Sequence, residues 1–360
     1  MKRVFVSDCE GPLTKNDNAY ELAAQFVPDG DKIFNIISKY DDVLADIVKR
    51  AGYNAGDTLK LVLPFLKASG ITDSQMQQFS AQTLILIAGT KKTLQHITSQ
   101  TEAFIVSTSY EHFIRALCDN VCFPFENTYC TRISLDKYSI SAEEKAKLKV
   151  IAKEIASLPM ITIPPEAKTL KDLSKRDQET VNRLDEIFWK ETPTMKIGRI
   201  FSEVSPVGGE EKAAAIRDII KKLQVPLSSV MYVGDSITDV QAFQLVREGG
   251  GLTISFNGNG YAVQNAEVAV QAENNTVTAV LADVFLKHGK PKVIGLAKTW
   301  TPENLKNSAV NPALSKHLLS LHPNRLPKVQ TVTPKNMEVL SKQSSEFRKK
   351  VRGEAVGKLG

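Results

Sequence analysis

Short apolar runs that end abruptly in polar residues recur along this chain. Three of them cover residues 4–6, 103–106 and 230–233, and they are rich in β-branched and aromatic side chains. Runs of this length and composition predict buried strands. The polar residues that follow them are Asp8 and Glu10, Ser107 and Thr108, and Asp235 and Asp239. Because ligands in an open α/β sheet sit beyond the carboxyl ends of the strands, the pattern predicts an α/β fold with these side chains at its reaction face.

After the first predicted strand, the apolar positions follow a different spacing. Between residues 33 and 48 the apolar positions recur every three or four residues, which is the period of an amphipathic helix. Further helical patterns cover residues 61–66 and 76–87. These segments predict a compact helical unit over residues 15–99, inserted directly after the first strand.

The rest of the chain divides into core segments, a second insertion and a C-terminal extension. Residues 140–195 are polar, contain two helical patterns and are interrupted by prolines, so they predict a helical insertion outside the sheet. Residues 290–360 contain six prolines and little periodicity, which predicts a tail that packs on the body or is partly disordered. The sheet is then expected from residues 1–14, 100–139 and 196–289.

The composition narrows the class of protein. With 360 residues, of which 42% are hydrophobic and 24% charged, the chain resembles a soluble globular protein larger than one typical domain. Its four cysteines do not indicate a disulfide scaffold, and no apolar run approaches the ~18 residues that span a membrane. We therefore expect a cytoplasmic protein without a membrane partner.

The net charge of +6 is modest and does not by itself indicate nucleic-acid binding. Much of the excess lies in a short basic cluster near the C-terminus, which contains Arg348, Lys349, Lys350 and Arg352. Such a cluster is typical of a solvated helix end or a frayed tail. A basic surface nevertheless favours phosphorylated substrates over neutral ones.

The acids at the strand ends indicate a metal site. Two carboxylates as close as those of Asp8 and Glu10 raise each other's pKa unless a cation neutralises them. Asp235 and Asp239 add two acids after another predicted strand, although an Asp-Ser pair is also a common helix cap. Carboxylate oxygens suit Mg²⁺, which keeps several waters and bridges to phosphate.

An acid pair, a hydroxyl residue, a lysine and a second acid pair follow one another along the chain. They are Asp8 with Glu10, Ser107 or Thr108, Lys212, and Asp235 with Asp239. This ordered set resembles the four motifs of the haloacid dehalogenase superfamily. The resemblance implies a Rossmann-like core with a mostly parallel sheet, and it implies that residues 15–99 form a helical cap of the C1 type. Residues 124–129 resemble the corresponding segment of phosphoserine-phosphatase-like members, and the whole chain resembles an archaeal group labelled as hydrogenase-associated.

The resemblance also implies a catalytic role for each motif. Asp8 attacks phosphorus and forms an aspartyl-phosphate, which splits one difficult step into two. Glu10 stands where the family usually has a second aspartate, which protonates the leaving oxygen and then activates water. Ser107, with Thr108 as the alternative, and Lys212 hold the phosphoryl oxygens. The additional methylene of Glu10 displaces its carboxyl group by about 1 Å unless the backbone compensates.

The same resemblance implies the ligands of the metal. Mg²⁺ is held by the Asp8 carboxylate, the Glu10 backbone carbonyl and Asp235, and Asp239 acts directly or through water. The function that follows is Mg²⁺-dependent hydrolysis of a phosphomonoester on a phosphorylated small molecule.

Three alternatives stay open at this point. A phosphonatase would need a cap lysine that forms a Schiff base, for which Lys60 and Lys67 are the candidates. A phosphotransferase would use the same motifs. A non-catalytic regulatory or assembly protein on this scaffold is compatible with Glu10, the second insertion and the basic tail. Neither the substrate nor the oligomeric state follows from the sequence.

Overall fold

The computed structural model describes residues 2–164, 166–307 and 309–359, and its centre is a seven-stranded sheet. The strands are β1 Val4–Ser7, β2 Ala103–Tyr110, β3 Thr128–Thr131, β4 Val230–Gly234, β5 Leu252–Phe256, β6 Val268–Gln271 and β7 Lys328–Thr331. Their order across the sheet is β3-β2-β1-β4-β5-β6-β7. All neighbouring pairs are parallel except β6 with β7. The predicted α/β fold with a mostly parallel sheet is confirmed.

The α-helices of the described residues surround this sheet. In chain order they are α1 Asn18–Phe26, α2 Gly30–Asp42, α3 Thr58–Ser69, α4 Asp73–Thr83, α5 Thr90–Thr98, α6 Glu111–Val121, α7 Ala142–Ser157, α8 Lys175–Glu186, α9 Ile200–Glu203, α10 Glu210–Leu223, α11 Val240–Glu248, α12 Gly260–Asn265, α13 Thr276–His288, α14 Lys290–Lys298, α15 Pro302–Asn307, α16 Pro312–Leu321, α17 Met337–Arg352 and α18 Glu354–Gly357. Single π-helical turns, Val43–Ile47 and Ile187–Glu191, continue α2 and α8.

Both faces of the sheet are covered, because side chains alternate along each strand and the strands are apolar on both sides. Phe5 and Met231 lie on one face, in a hydrophobic cluster with α5, α6, α13 and α14. Val6 and Tyr232 lie on the other face, where they pack against α10 and α11. Because β1 pairs in parallel with both β2 and β4, the carboxyl ends of these three strands are adjacent at one edge of the sheet.

Strand β2 is longer than its apolar run predicts. It continues through Ser107 and Thr108 to Tyr110, and its register with β3 shifts between Val106 and Tyr110. Ser107 thus lies inside the strand at an irregular stretch, whereas the sequence placed it directly after the strand. Irregular pairing of this kind re-aims side chains at the rim of a sheet.

The two helical insertions share one hydrophobic core. Buried side chains of α1–α4, such as Ile37 and Leu63, pack in the same cluster as Leu148 of α7 and Leu184 of α8. Phe188 lies at its centre, fully buried, with its ring centroid 5.9 Å from that of Tyr40. We refer to α1–α4 with α7–α9 as the helical cluster. The sequence indicated no partner for residues 140–195, and the structure places them in this cluster.

Two other segments pack differently from the predicted division. Helix α5 falls within residues 15–99, yet Leu94 and Ile97 belong to the hydrophobic cluster of the sheet. The C-terminal extension folds onto the sheet as well: Val329 of β7 and Val351 of α17 are buried in the same cluster. None of the described helices is long and apolar enough to cross a membrane.

Replacing Phe188 with alanine is expected to destabilise the protein by about 3–5 kcal/mol, because the side chain fills the shared core of the helical cluster. Val150→Ala on α7 is the matched control, since the Val150 side chain is 66% exposed and its loss should change stability by about 0.5 kcal/mol or less. Urea denaturation of both variants measures the difference. Equal, small losses of stability in the two variants would show that the two insertions do not form one cooperative core.

Candidate active site

The motif residues meet at the carboxyl ends of β1, β2 and β4. A cavity of about 90 Å³ lies there, between the sheet and the helical cluster. From the sheet side it is lined by Asp8, Glu10, Ser107, Thr108 and Asp235, and from the helical cluster by Ser38, Asp41, Asp42 and Thr58. Lys212 and Asp239 are buried behind this wall, and Lys212 forms ion pairs with both Asp8 and Asp239. The structure therefore brings together the residues of all four predicted motifs.

Asp8 is buried, and its two carboxylate oxygens have different partners. Oδ1 accepts a hydrogen bond from the Cys9 backbone N–H at 2.6 Å, and Oδ2 accepts one from Lys212 Nζ at 2.6 Å. Burial raises the pKa of Asp8 to about 7, although the positive charge of Lys212 opposes the rise. The carboxylate is thus held in one orientation by the protein and keeps lone pairs directed to the cavity.

Lys212 lies in the first turn of α10 and bridges Asp8 and Asp239. The helix begins after Gly209, whose φ of 54° turns the chain, and Lys212 is fully buried. Its Nζ donates to Asp8 Oδ2 and to Asp239 Oδ1 at 2.7 Å. Burial alone lowers the pKa of a lysine, but the Asp239 and Asp8 carboxylates outweigh it and raise the pKa of Lys212 above its ordinary value. The residue therefore remains a cation inside the protein.

Asp239 is saturated by hydrogen bonds from the protein. Oδ1 accepts from Lys212 Nζ and from the Tyr232 hydroxyl at 2.6 Å, and Oδ2 accepts from the backbone N–H groups of Asp235 and Ser236. A carboxylate has about four lone-pair positions, and all of them are used. Burial opposes ionisation, but Lys212 and these hydrogen bonds hold the pKa of Asp239 below its usual value. Asp239 therefore orients Lys212 and the β4 loop, and it would contact a bound metal only through water.

Asp235 is contacted by two arginines of the C-terminal helix α17. Arg352 Nη1 donates to Asp235 Oδ2 at 3.1 Å, and Arg348 Nη1 contacts the same oxygen and donates to the Asp235 carbonyl at 3.0 Å. Gly11 packs against this carboxylate with a φ of 103°, where a Cβ would overlap Asp235. Burial raises the pKa of Asp235, and the two guanidinium groups oppose that rise.

Arg348 and Arg352 were not predicted as site residues, and the predicted solvent-exposed environment is wrong for both. The basic cluster was expected to be solvated, yet the side chains of Arg348 and Arg352 are each 3% exposed. Lys350 on the same helix matches the expectation, since its side chain is 67% exposed. The spacing of Arg348 and Arg352 was the available signal, because residues four apart share one face of a helix.

Glu10 is half-buried and faces the helical cluster. Its Oε1 accepts a hydrogen bond from the Asn18 backbone N–H at the start of α1, at 2.6 Å. Burial, together with the nearby Asp17 carboxylate, raises the pKa of Glu10 well above its usual range. The raised pKa favours the protonated carboxyl group, which is the form that a general acid uses.

The two hydroxyl candidates of β2 differ in how they are used. Thr108 Oγ1 donates to the Val207 carbonyl at 3.1 Å, so its hydrogen is committed to the protein. Ser107 Oγ accepts from the Ser109 backbone N–H at 3.3 Å, and that bond does not use the Ser107 hydrogen. Both residues line the cavity, but Ser107 is the one whose hydroxyl can donate to a bound oxyanion.

The acids can hold a hard divalent cation. Asp8, Asp235 and Asp239 each offer an oxygen, and these atoms lie within 4.8 Å of one another. Oxygen donors of this kind fit Mg²⁺, and Asp8 and Asp235 would be its direct ligands because Asp239 is saturated. Glu10 was expected to contribute only its backbone carbonyl, and its carboxylate is outside this group of described residues.

Comparison with known families gives one match to this chain. A family model for haloacid dehalogenase-like hydrolases matches residues 81–283, which is more than half of the chain. The match includes Ser107, Lys212, Asp235 and Asp239, whereas Asp8 and Glu10 precede it. No curated protein sequence matches the chain.

Solved structures similar to this chain include an archaeal protein and phosphoserine phosphatases. The gene product AF1437 from Archaeoglobus fulgidus has a TM-score of 0.79 and 25% identity, covering 100% of this chain and 99% of its own. A substrate-bound phosphoserine phosphatase has a TM-score of 0.47 and 13% identity, covering 81% of this chain and 99% of its own. A phospho-aspartyl intermediate analogue of phosphoserine phosphatase has a TM-score of 0.47 and 13% identity, over 80% of this chain and 99% of its own.

Proposed function

The chain belongs to the haloacid dehalogenase-like hydrolases, and on this basis we propose that it hydrolyses a phosphomonoester through an aspartyl-phosphate on Asp8, with Mg²⁺ as cofactor. The observation that carries the proposal is the buried Asp8 carboxylate, fixed by Lys212 at 2.6 Å and facing a cavity that Glu10 and Ser107 also line. A nucleophile, a proton carrier and oxyanion donors are the groups that phosphoryl transfer needs.

Two half-reactions follow from these groups. An Asp8 oxygen attacks phosphorus while the bond to the leaving oxygen breaks, and Glu10 gives its proton to that oxygen. Glu10 then takes a proton from water, whose oxygen attacks phosphorus and releases Asp8 and inorganic phosphate. Lys212 and the Ser107 hydroxyl stabilise the charge on the phosphoryl oxygens. Mg²⁺, held by Asp8 and Asp235, would add positive charge beside those oxygens.

The cavity size supports a cap that opens. The cavity volume of about 90 Å³ is below the ~300 Å³ at which small-molecule pockets begin, so a substrate needs more room than the described arrangement provides. The helical cluster forms the wall opposite the strand ends and is the element that can move to admit a substrate. We propose that it acts as the cap.

The phosphonatase alternative gains no support from the cap lysines. Lys60 pairs with Asp57 at 2.6 Å and Lys67 with Asp136 at 3.8 Å. Neither is among the described residues that line the cavity. A Schiff base on either lysine would form away from Asp8.

Release of phosphate from p-nitrophenyl phosphate, with Mg²⁺ and with EDTA, tests the proposal. We expect turnover that requires the divalent ion, followed by selection of one substrate class from a panel of phosphorylated metabolites. If the folded protein releases no phosphate from any ester in the panel, the non-catalytic alternative is the better description.

Lys212→Met is expected to lower kcat by about a hundredfold, because it removes a preorganised positive charge from the phosphoryl oxygens and leaves Asp8 and Asp239 facing each other. Lys222→Met on the same helix is the control, since the Lys222 side chain is 61% exposed. Steady-state kinetics and thermal melting of both variants separate a catalytic loss from a folding defect. Turnover of Lys212→Met equal to that of the control would remove Lys212 from the mechanism.

A further inference from the structure

The C-terminal helix places two buried positive charges on Asp235, the acid that the proposed function assigns to the metal. Arg348 and Arg352 both contact Asp235 Oδ2, and Arg348 also donates to the Asp235 carbonyl. The two arginines and the aspartate are almost completely buried. Pairs of this kind are only weakly screened by solvent, so their charges act strongly on anything else that binds Asp235.

This contact is not a fully satisfied structural ion pair. Among the described residues, Arg348 Nε is buried and has no hydrogen-bond partner, although Arg348 lines the active-site cavity. A buried donor without a partner costs free energy that a purely structural pair would avoid. The Arg348 guanidinium group therefore has an unused donor, which favours a change of partner over a permanent contact with Asp235.

The same helix is joined to the helical cluster on the opposite side of the cavity. Arg352 Nε donates to the Lys15 carbonyl at 3.0 Å and Nη2 contacts the Asn16 carbonyl, both on the linker that enters α1. Arg348 Nη2 donates to the Leu359 carbonyl at 3.1 Å. Leu359 is buried in the hydrophobic core of the helical cluster and lines the cavity. The segment 337–359 thus connects Asp235 to the linker that enters α1 and, through Leu359, to the core of the helical cluster.

A divalent ion and the two arginines make competing demands on one carboxylate. Oδ2 of Asp235 already accepts from two guanidinium groups, which uses its two lone pairs. An ion ligated by Asp235 would also lie within a few ångströms of two fixed positive charges, which repel it. The two arginines therefore oppose ligation of an ion by Asp235, even through Oδ1.

We propose that Arg348 and Arg352 form a cationic clamp that competes with the divalent ion for Asp235, so that metal binding releases segment 337–359 from the active site. The proposal rests on Asp235 being a metal ligand, as in the proposed function. When the clamp is released, the contacts of Arg352 with the linker and of Leu359 with the helical cluster are lost as well. Metal loading and opening of the helical cluster are coupled in this way.

The affinity for Mg²⁺ alone, measured by isothermal titration without any phosphate ester, tests the competition. Arg348→Gln and Arg352→Gln should each bind Mg²⁺ about tenfold or more tightly than the wild-type protein, since each removes one competing charge. Lys350→Gln is the matched control, because it removes the same charge from the exposed face of α17 and should bind as the wild type does. Arginine variants with wild-type or weaker affinity would overturn the clamp, as would variants that bind no Mg²⁺.

A second measurement needs no substitution and remains decisive if the arginine variants fold poorly. Hydrogen exchange of the wild-type protein should become faster in residues 337–359 at saturating Mg²⁺, because the helix loses its contacts with Asp235. Exchange that stays unchanged or slows there, at an ion concentration shown to be saturating, contradicts the proposal. Failure of the proposed function has a different signature: a protein that hydrolyses no ester can still show tighter Mg²⁺ binding in Arg348→Gln.

Discussion

Asp8→Asn abolishes turnover of phosphate esters, with an expected loss of about a thousandfold or more, because the amide cannot attack phosphorus. The fold should survive, since asparagine has nearly the same shape and its amide oxygen can still accept one of the two hydrogen bonds that Lys212 and the Cys9 backbone N–H donate to Asp8. Phosphate release and thermal melting of the same preparation measure the two effects. A single turnover of the wild type in ¹⁸O-labelled water shows whether water attacks phosphorus or the carboxyl carbon of an Asp8 acyl-phosphate. Attack of that water on phosphorus places the label in phosphate and leaves the Asp8 peptide unlabelled.

Asp42→Asn is the matched control for the charge change. Asp42 lines the same cavity from the helical cluster and pairs with Lys39 at 2.7 Å, so its loss removes one buried negative charge without touching the nucleophile. Turnover should change by about tenfold or less. If Asp8→Asn keeps a tenth or more of wild-type turnover, or if both variants lose activity equally, Asp8 is not the nucleophile.

Glu10→Gln slows hydrolysis by about 10²–10⁴-fold, with the larger losses for esters of poor leaving groups. The glutamine cannot give a proton to the departing oxygen, and p-nitrophenolate needs that proton far less than an alkoxide does. Breakdown of the aspartyl-phosphate should slow too, because the same carboxylate activates water. Mg²⁺ binding should persist, since Glu10 is expected to contribute its backbone carbonyl. A leaving-group series, with burst-phase kinetics, measures each of these effects.

Two further variants sharpen the test of Glu10. Glu21→Gln is the matched control: burial raises the pKa of Glu21 to about 7, but this carboxylate accepts from Asn16 and is not among the described residues that line the cavity. It should leave the leaving-group dependence unchanged. Glu10→Asp introduces the residue that is usual in the family. Its turnover, compared with that of the wild type, measures whether the backbone around position 10 has adapted to the longer glutamate side chain. Equal, small losses for good and poor leaving groups in Glu10→Gln would exclude an acid/base role.

The strands and the placement of the motif residues follow from the sequence alone. Apolar runs such as residues 4–6 and 230–233 are short, rich in β-branched or aromatic residues and followed by polar ones, which favours a buried strand over a helix. Parallel strands put their carboxyl ends at one edge. Asp8, Ser107 and Asp235 were therefore predicted to meet, and they do. The ordered motifs added Lys212, whose position on a helix would otherwise indicate a surface residue. The membership of the chain in the haloacid dehalogenase-like hydrolases was predicted in the same way and is confirmed.

The pairing of distant segments was decided only by the tertiary structure. Helical periodicity shows which face of a segment is apolar, but it does not show which other segment buries that face. Residues 140–195 thus had no assigned partner, and α5 was grouped with the wrong neighbours. The contact between Arg348 and Asp235 was not predicted for the same reason, because the two residues are 113 positions apart in the chain. Charged residues at a helix end are solvated by default, and only the fold, by bringing α17 over the end of β4, buries these two against an acid.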